Sequence, residues 1–226
     1  MRNVLLVDLD GTLTDPSQGI VGCFRFALAA MGRPQPAEAD LTWIIGPALR
    51  RSFAALLGGA ADTEAALTFY RACYGSDGLF QATVYDGVKE ALAELQAMGV
   101  RLFLCTSKPL PYAERILKRF DLARYFDAAF GAELDGRLEN KSELIAHILA
   151  DRRLAAGDCV MLGDRRHDVI GAGAHAIPTL GALWGYGGKD ELSEAGAAAL
   201  CATPSDAAAA FRRLSVDAID CEIPAR

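Results

Sequence analysis

The sequence predicts an α/β protein in which a Rossmann-like core, built on a parallel sheet, carries an inserted α-helical cap. Short apolar runs typical of buried strands alternate with segments of helical periodicity over most of the chain. That alternation is the pattern of a parallel sheet covered by helices on both faces. It is interrupted once, because residues from about 15 to 81 hold no strand candidate and have helical patterns throughout. The cap is therefore expected between the first and second strands.

Four apolar runs are predicted as core strands: residues 4–9, 101–105, 126–130 and 159–162. Three helical stripes accompany them; they are formed by Val88, Leu92, Leu95 and Met98, by Ile116, Leu117 and Phe120, and by Leu144, Ile145, Ile148 and Leu149. Asp86 is expected to cap the first of these helices and Gly99 to end it. Pro111 is expected to open the second.

Three helices are predicted within the insertion, over residues 20–31, 48–57 and 63–73. Proline and glycine residues at 34, 36, 58 and 59 separate them. This places the catalytic core in residues 1–14 and 82–214 and the cap in residues 15–81. No clear pattern continues beyond Arg213, so we expect residues 215–226 to form a C-terminal tail.

Composition and charge exclude several classes of protein. The chain has 226 residues, 52% of them hydrophobic, which allows a sizeable core. A formal net charge of −6 argues against a nucleic-acid partner, because binding to phosphate backbones needs clustered Lys and Arg. No apolar run approaches membrane-spanning length, and the first one is too short and too acidic for a signal peptide. We therefore expect a cytoplasmic protein with no membrane partner.

The cysteines are expected to be reduced thiols. None belongs to a CxxC pair or has a histidine at zinc-ligand spacing. The six are Cys23, Cys73, Cys105, Cys159, Cys201 and Cys221. Most of them are expected to fill apolar space in the core.

Two carboxylates one residue apart, Asp8 and Asp10, stand at the C-terminal end of the first predicted strand. The carboxyl end of a strand in a parallel sheet is where ligands bind. Two buried carboxylates there are costly unless something pairs them. Magnesium is a suitable partner, because hard cations take carboxylate oxygens as ligands. Asp8 and Asp10 are therefore candidate catalytic and metal-binding residues.

Three further segments are expected at the same edge of the sheet. Thr106 and Ser107 end the second core strand, and a hydroxyl and a backbone N–H there can hold a phosphoryl oxygen. Lys141 opens a helix and is a point charge suited to an anionic phosphoryl group. Asp164 and Asp168 follow the strand at residues 159–162 and would complete a cluster of metal ligands.

These residues resemble the four motifs of the haloacid dehalogenase-like superfamily, in the family's order. The resemblance covers residues from Val4 to about Arg213, and the insertion sits where that family places a helical cap of its first type. The chain looks most like the phosphoglycolate phosphatase-like branch. Segments similar to bacterial members labelled 5′-nucleotidase-like are residues 45–49, 106–109, 133–136 and 186–187. One departure is Ser142, where many relatives carry proline after the lysine.

The resemblance implies a magnesium-dependent phosphatase. Asp8 would attack phosphorus and form an aspartyl-phosphate, and Asp10 would act as general acid and then general base. Mg²⁺ would be held by the Asp8 carboxylate, the Asp10 backbone carbonyl and Asp164, with Asp168 in the surrounding second layer. The groups expected to bind the phosphoryl oxygens are Thr106, the Ser107 N–H and Lys141.

Asp10 favours phosphate-monoester hydrolysis, because the dehalogenase, phosphonate-hydrolase and ion-pump branches of the family lack an acid at that position. A sugar-phosphate mutase shares Asp10 and stays an alternative; it would accumulate phosphorylated enzyme rather than release phosphate. A non-catalytic regulatory binding protein on the same fold is a second alternative. The expected partner is a small phosphorylated metabolite; the oligomeric state is left open.

The candidate substrates are 2-phosphoglycolate and nucleoside 5′-monophosphates. Arg50 in the cap would bind a substrate carboxylate, or is an ordinary surface arginine. A nucleoside would instead need an aromatic or apolar wall, which Trp43 or Phe53 would supply. The sequence does not decide between these substrates.

Overall fold

The computed structural model describes residues 2–220, with side-chain environments through Ser215. The strands are β1 Val4–Val7, β2 Thr14–Asp15, β3 Thr83–Val84, β4 Arg101–Pro109, β5 Ala128–Ala132, β6 Cys159–Gly163, β7 Thr179–Ala182 and β8 Ala199–Cys201. Six of them form one parallel sheet in the order β5-β4-β1-β6-β7-β8. The central β1 is buried along its whole length, which explains its unbroken apolar sequence. The predicted Rossmann-like α/β class is confirmed.

The helices are α1 Ser17–Ala30, α2 Leu49–Leu57, α3 Ala60–Ser76, α4 Val88–Ala97, α5 Leu110–Arg119, α6 Lys141–Arg152, α7 Arg166–Gly173, α8 Lys189–Glu194 and α9 Asp206–Asp220. Alternate residues of β1 enter different hydrophobic clusters on the two faces of the sheet. Leu5 and Val7 pack in the cluster that contains α4, α5 and α9 residues, whereas Val4 and Leu6 pack with α6 residues. Among residues 2–220, every helix is too short or too polar to cross a membrane.

The insertion contains the three helices that the sequence patterns predict, α1, α2 and α3, and two short 3₁₀ helices that they do not, Glu38–Ile44 and Gly78–Phe80. β2 and β3 pair antiparallel at its base, so both connections to the core lie side by side. Its interior is aromatic: the rings of Phe24 and Phe53 stack with centroids 4.1 Å apart, and Tyr70 meets Phe53 edge-on at 6.2 Å. The insertion therefore has an apolar centre of its own.

The expectation of six reduced cysteines is wrong for two of them. Cys23 on α1 and Cys73 on α3 form a disulfide. The two helices pack against each other and bring the Cα atoms to 5.6 Å, within the range that a disulfide spans. Fifty positions separate the two residues, so local spacing gave no sign of the pairing. Cys105, Cys159 and Cys201 are free and buried, and Cys221 lies outside the described residues.

Two boundaries differ from expectation. α9 continues to Asp220, so the start of the expected tail at residue 215 falls within a helix; residues 221–226 lie outside the described residues. Up to Ser215, the buried apolar residues of α9 are Ala207, Ala208, Ala210 and Phe211, and the small alanines give this helix little hydrophobic contrast in the sequence. The residue before α4 is Gly87, at φ +83°, and no side chain caps that helix, so the expected cap by Asp86 is wrong.

Candidate active site

The sheet order places the predicted site residues at one edge. β4, β1 and β6 are neighbours and run parallel, so their carboxyl ends open on the same side. Asp8 directly follows β1, Thr106 lies in the last part of β4, and Asp164 directly follows β6. All three side chains are buried. The predicted convergence of three strand ends is therefore present.

Three carboxylates meet at this edge. Asp8, Asp164 and Asp168 each offer an oxygen, and these oxygens lie within 4.8 Å of one another. Asp168 is fixed at the start of α7, where its carboxylate accepts a hydrogen bond from the Arg165 backbone N–H at 3.1 Å. Burial raises the pKa of Asp164 well above its ordinary value, and the charges of Asp168 and Asp8 raise it further. Burial likewise raises the pKa of Asp8. Negative charge is therefore crowded at this point.

Lys141 provides one positive charge within the cluster. It is the first residue of α6, which Asn140 caps by accepting hydrogen bonds from the backbone N–H groups of the first turn. Its ammonium lies 3.0 Å from the Asp8 carboxylate and 2.8 Å from that of Asp168. It also donates to the Cys105 carbonyl at 2.9 Å. Although burial lowers its pKa, the two carboxylates hold that pKa above its ordinary value, so Lys141 stays charged.

Lys108 is a second buried cation that the sequence analysis did not select. Its ammonium donates to Oδ2 of Asp10 at 2.5 Å and to the Tyr74 hydroxyl at 2.7 Å. Burial lowers its pKa, but Asp10 and Tyr74 outweigh that effect and raise it. Lys108 stands two residues after Thr106 and within the segment 106–109 that carried the family resemblance, but the sequence gave its side chain no role.

The charges of this site fit a divalent cation. Among the described residues, the buried charged side chains are Asp8, Asp10, Lys108, Lys141, Asp164 and Asp168, all of them at this site. Four carboxylates face two ammonium groups, which leaves two negative charges uncompensated. Carboxylate oxygens are the ligands that Mg²⁺ prefers. The residues present therefore fit a magnesium ion, with Asp8 and Asp164 as direct candidates.

A tight loop holds Asp164 in place. The Thr12 hydroxyl donates to one carboxylate oxygen at 3.0 Å, and the Tyr186 backbone N–H donates to the other at 2.8 Å. Side chains are excluded around it: a Cβ on Gly11, which has φ +85°, would lie 2.2 Å from the Asp164 carboxylate. A Cβ on Gly187 would lie 1.9 Å from the Asp164 carbonyl oxygen. The segment at residues 186–187 that carried the family resemblance thus supports a candidate metal ligand.

A cavity lies between this edge of the sheet and the insertion. Asp8, Asp10, Thr106 and Ser107 line its floor, and the insertion and neighbouring loops line its walls. The rings among its lining residues are Tyr70, Tyr74 and Tyr112. Tyr70 and Tyr74 stack at 5.1 Å, and Tyr112 meets Tyr74 edge-on at 5.9 Å.

The aromatic wall is therefore not the one that the sequence analysis named. Phe53 is buried inside the insertion against Phe24, and Trp43 is 40% exposed; neither lines the cavity. Arg50 does line the cavity, but its guanidinium forms an ion pair with Glu64 of the insertion.

Several polar contacts join the insertion to the core around this cavity. Arg165 donates to the Ile45 carbonyl of the insertion, and Arg71 of the insertion donates to the Leu134 carbonyl at 2.6 Å. At the base, the Tyr186 hydroxyl donates to the Asp15 carboxylate. The insertion is thus held over the site from several sides.

The fold and this site define a haloacid dehalogenase-like hydrolase, and the comparison with known families agrees. The sequence model of the family described as haloacid dehalogenase-like hydrolase matches residues 5–182, and the chain belongs to this family. The resemblance noted from the four motifs is thereby confirmed.

Individual relatives within this family carry more specific names. A 5′-nucleotidase of Pseudomonas aeruginosa is 42% identical over 83% of this chain and 86% of its own length. A protein named tyrosine-protein kinase PtkA from Mycobacterium tuberculosis is 43% identical over 84% of this chain, which spans 65% of that protein. Among solved structures, a predicted phosphatase from Clostridium acetobutylicum superposes with a TM-score of 0.91 and 33% identity, covering 94% of this chain and 99% of that one.

Proposed function

We propose that this chain is a magnesium-dependent phosphatase that hydrolyses phosphate monoesters of small metabolites through an aspartyl-phosphate on Asp8. The class, phosphoric monoester hydrolase, follows from membership in the family and from its phosphatase relatives. The observation that carries the finer proposal is the convergence of buried Asp8, Asp10, Asp164 and Lys141 at one strand edge beneath a cavity. A cytoplasmic location stays a prediction.

In the first half of the reaction the Asp8 carboxylate attacks phosphorus, and the bond from phosphorus to the ester oxygen breaks. Asp10 transfers a proton to that departing oxygen, so an alcohol leaves. The Thr106 hydroxyl, the Ser107 N–H and the Lys141 ammonium hold the oxygens of the transferring group and balance its charge.

In the second half Asp10, now a carboxylate, takes a proton from water as the water oxygen attacks the phosphorus of the acyl phosphate. Inorganic phosphate leaves and the Asp8 carboxylate is restored. Asp8, Asp164 and the Asp10 carbonyl would hold magnesium, with Asp168 beside them. When bound, the ion supplies positive charge that neutralises the phosphate and the crowded carboxylates.

The cavity favours a nucleoside 5′-monophosphate over 2-phosphoglycolate within this proposal. Tyr112 is partly exposed and offers a ring against which a base can pack, with the buried rings of Tyr74 and Tyr70 supporting it. The Arg50 guanidinium, which a substrate carboxylate would need, is engaged by Glu64. We further propose that residues 15–81 act as a cap, because they cover the site and restrict it to small substrates.

Phosphate release from a panel of nucleoside 5′-monophosphates, 2-phosphoglycolate and sugar phosphates tests this function. We expect steady release with magnesium, none with a chelator, and none from Asp8→Asn; Asp151→Asn, at an exposed carboxylate, is the matched control. No release from any substrate by folded, magnesium-supplied protein would contradict the proposal.

The same panel addresses the other reactions. Stable phosphorylated enzyme that water does not cleave would point to a mutase. Because one relative is named a tyrosine kinase, a parallel assay with ATP and a tyrosine peptide is included. Transfer to the peptide without hydrolysis of monoesters would also contradict the phosphatase proposal.

A further inference from the structure

Lys108 connects the proposed acid–base residue to the insertion. Its ammonium is hydrogen-bonded to Asp10 in the core at 2.5 Å and to the Tyr74 hydroxyl on α3 at 2.7 Å. The lysine is only 8% exposed, and Tyr74 is buried as well. An ammonium placed away from water needs partners of this kind, since burial without them is costly. The three side chains therefore form one continuous polar contact from the core to the insertion.

The backbone fixes the position of Lys108 independently of these contacts. The pairing of β4 with β5 shifts register between Thr106 and Pro109, so the segment that carries Lys108 bulges from the ladder. Within it, the Lys108 N–H donates to the Thr106 hydroxyl at 3.2 Å. The lysine is thus presented from the same strand end that is proposed to bind phosphate.

The two oxygens of Asp10 have different surroundings. Oδ2 accepts the hydrogen bond from Lys108, whereas Oδ1 is buried and has no hydrogen-bond partner among the described residues. Asp10 itself lines the cavity. The final torsion of an aspartate is broad and roughly two-fold, so the side chain alone does not choose an orientation. A charge-assisted hydrogen bond to one oxygen does choose it and leaves the other for the substrate.

We propose that Lys108 is a positioning residue that holds Asp10 with Oδ1 available to the leaving oxygen, and that Tyr74 completes this arrangement when the insertion covers the site. The inference rests on the proposed role of Asp10 as general acid. Tyr74 belongs to the insertion, so movement of α3 away from the core removes one partner of Lys108. Orientation of the acid is in this way tied to closure of the cavity.

The test uses leaving groups that differ in their need for an acid. An alkyl phosphate releases a poor leaving group that must be protonated, whereas p-nitrophenyl phosphate releases a stable phenolate. With enzyme in excess, single-turnover release of the alcohol or phenol reports the first half of the reaction alone. Lys108→Met keeps the length of the side chain and removes its charge. We expect it to slow the alkyl substrate by about 100-fold, the scale of general acid catalysis, and the nitrophenyl substrate by less than about fivefold.

Tyr74→Phe removes only a hydroxyl. We expect it also to slow the alkyl substrate more than the nitrophenyl substrate, but by only about five- to tenfold on the alkyl substrate. Lys118→Met and Tyr125→Phe are matched controls outside the site and should match wild type. If Lys108→Met fails to fold, Tyr74→Phe carries the test, and Lys108→Arg, which keeps the charge, is expected to retain most of the wild-type rate on the alkyl substrate. A loss that is equal for both substrates, or no loss at all, overturns the inference.

Asp10→Asn separates this inference from the function on which it rests. If Asp10→Asn slows both substrates equally, Asp10 is not the general acid and the proposed mechanism fails. If Asp10→Asn is selective for the alkyl substrate and Lys108→Met is not, only the positioning role of Lys108 fails.

Discussion

Substitution of Asp164 by Asn separates magnesium binding from folding. Asp164 is 0% exposed and accepts hydrogen bonds from the Thr12 hydroxyl and the Tyr186 backbone N–H. Asn has nearly the same shape and keeps one acceptor oxygen, so the surrounding loop retains most of its contacts. The change removes one negative charge beside Asp8 and Asp168. We expect the variant to fold and to lose most of its response to magnesium.

The response of the wild type to magnesium should be several degrees in melting temperature. At a magnesium concentration of 100 times the dissociation constant, binding stabilises the folded wild type by about 2.7 kcal/mol. For a chain of this length each kcal/mol raises the melting temperature by about 2–4 °C, so the wild type should gain about 5–11 °C. If loss of the Asp164 carboxylate weakens affinity about 100-fold, the same magnesium contributes only about 0.4 kcal/mol, or about 1 °C.

Without metal, the wild type should be no more stable than Asp164→Asn. The pKa of Asp164 is raised by burial and by Asp168 and Asp8, which means that its charge destabilises the metal-free fold. Removal of that charge should leave the metal-free melting temperature equal or higher. Calorimetry with magnesium, with chelator and with potassium at equal ionic strength measures both effects; Asp151→Asn is the control. A full magnesium shift in the Asp164 variant would refute the assignment of this site.

Further predictions concern the nucleophile, the cap and the glycine turn. Asp8→Asn should fold and release less than a few per cent of the wild-type phosphate, measured on a sample shown by mass spectrometry not to be deamidated. Because Arg50 is paired with Glu64, Arg50→Ala should change kcat/KM for nucleoside monophosphates and for 2-phosphoglycolate by less than about threefold, and a larger loss confined to 2-phosphoglycolate would restore its role as a carboxylate ligand. Gly11→Ala should lower the folding stability by about 1–3 kcal/mol, because its Cβ would lie 2.2 Å from the Asp164 carboxylate and its φ is +85°. It should also abolish the rise in melting temperature that magnesium causes. A folded phosphoprotein should be cleaved with lower kcat/KM than the best small substrate, since the insertion covers the cavity.

The sequence was most informative at β1, where buried core residues lead directly into residues of the candidate site. The apolar run that forms β1 ends directly in Asp8 and Asp10, so strand and site are read from the same ten residues. Parallel pairing then places Thr106 and Asp164 beside them without further information. The helices of the insertion could also be predicted, because helical periodicity extends over long segments that contain no strand pattern.

What the sequence could not provide depends on contacts between distant segments. Lys108 is one of only five lysines in the chain, but nothing in the sequence shows that α3 brings Tyr74 to it. The disulfide between Cys23 and Cys73 depends on the packing of two helices. β7 and β8 were not predicted, since they are only four and three residues long and contain glycine or alanine where apolar contrast was sought.

The aromatic residues that line the cavity also differ from those that the sequence suggested. Trp43 and Phe53 were the aromatic residues nearest in sequence to the segment at residues 45–49, but Phe53 turns into the interior of the insertion. Tyr70 and Tyr74 lie one helical turn apart on α3, so they face the same side, and the orientation of α3 over the sheet decides that this side is the cavity.

The proposed function depends on phosphorylation of Asp8 during turnover. The direct measurement is rapid acid quench of the magnesium-supplied enzyme with substrate, followed by tandem mass spectrometry of the peptide that contains residues 3–25. We expect a phosphoryl group on Asp8 within the first turnover, at higher occupancy in Asp10→Asn with a nitrophenyl substrate, because the water-activating base is then missing. Phosphate released at the wild-type rate with no adduct on Asp8, or with an adduct on another residue, would contradict it.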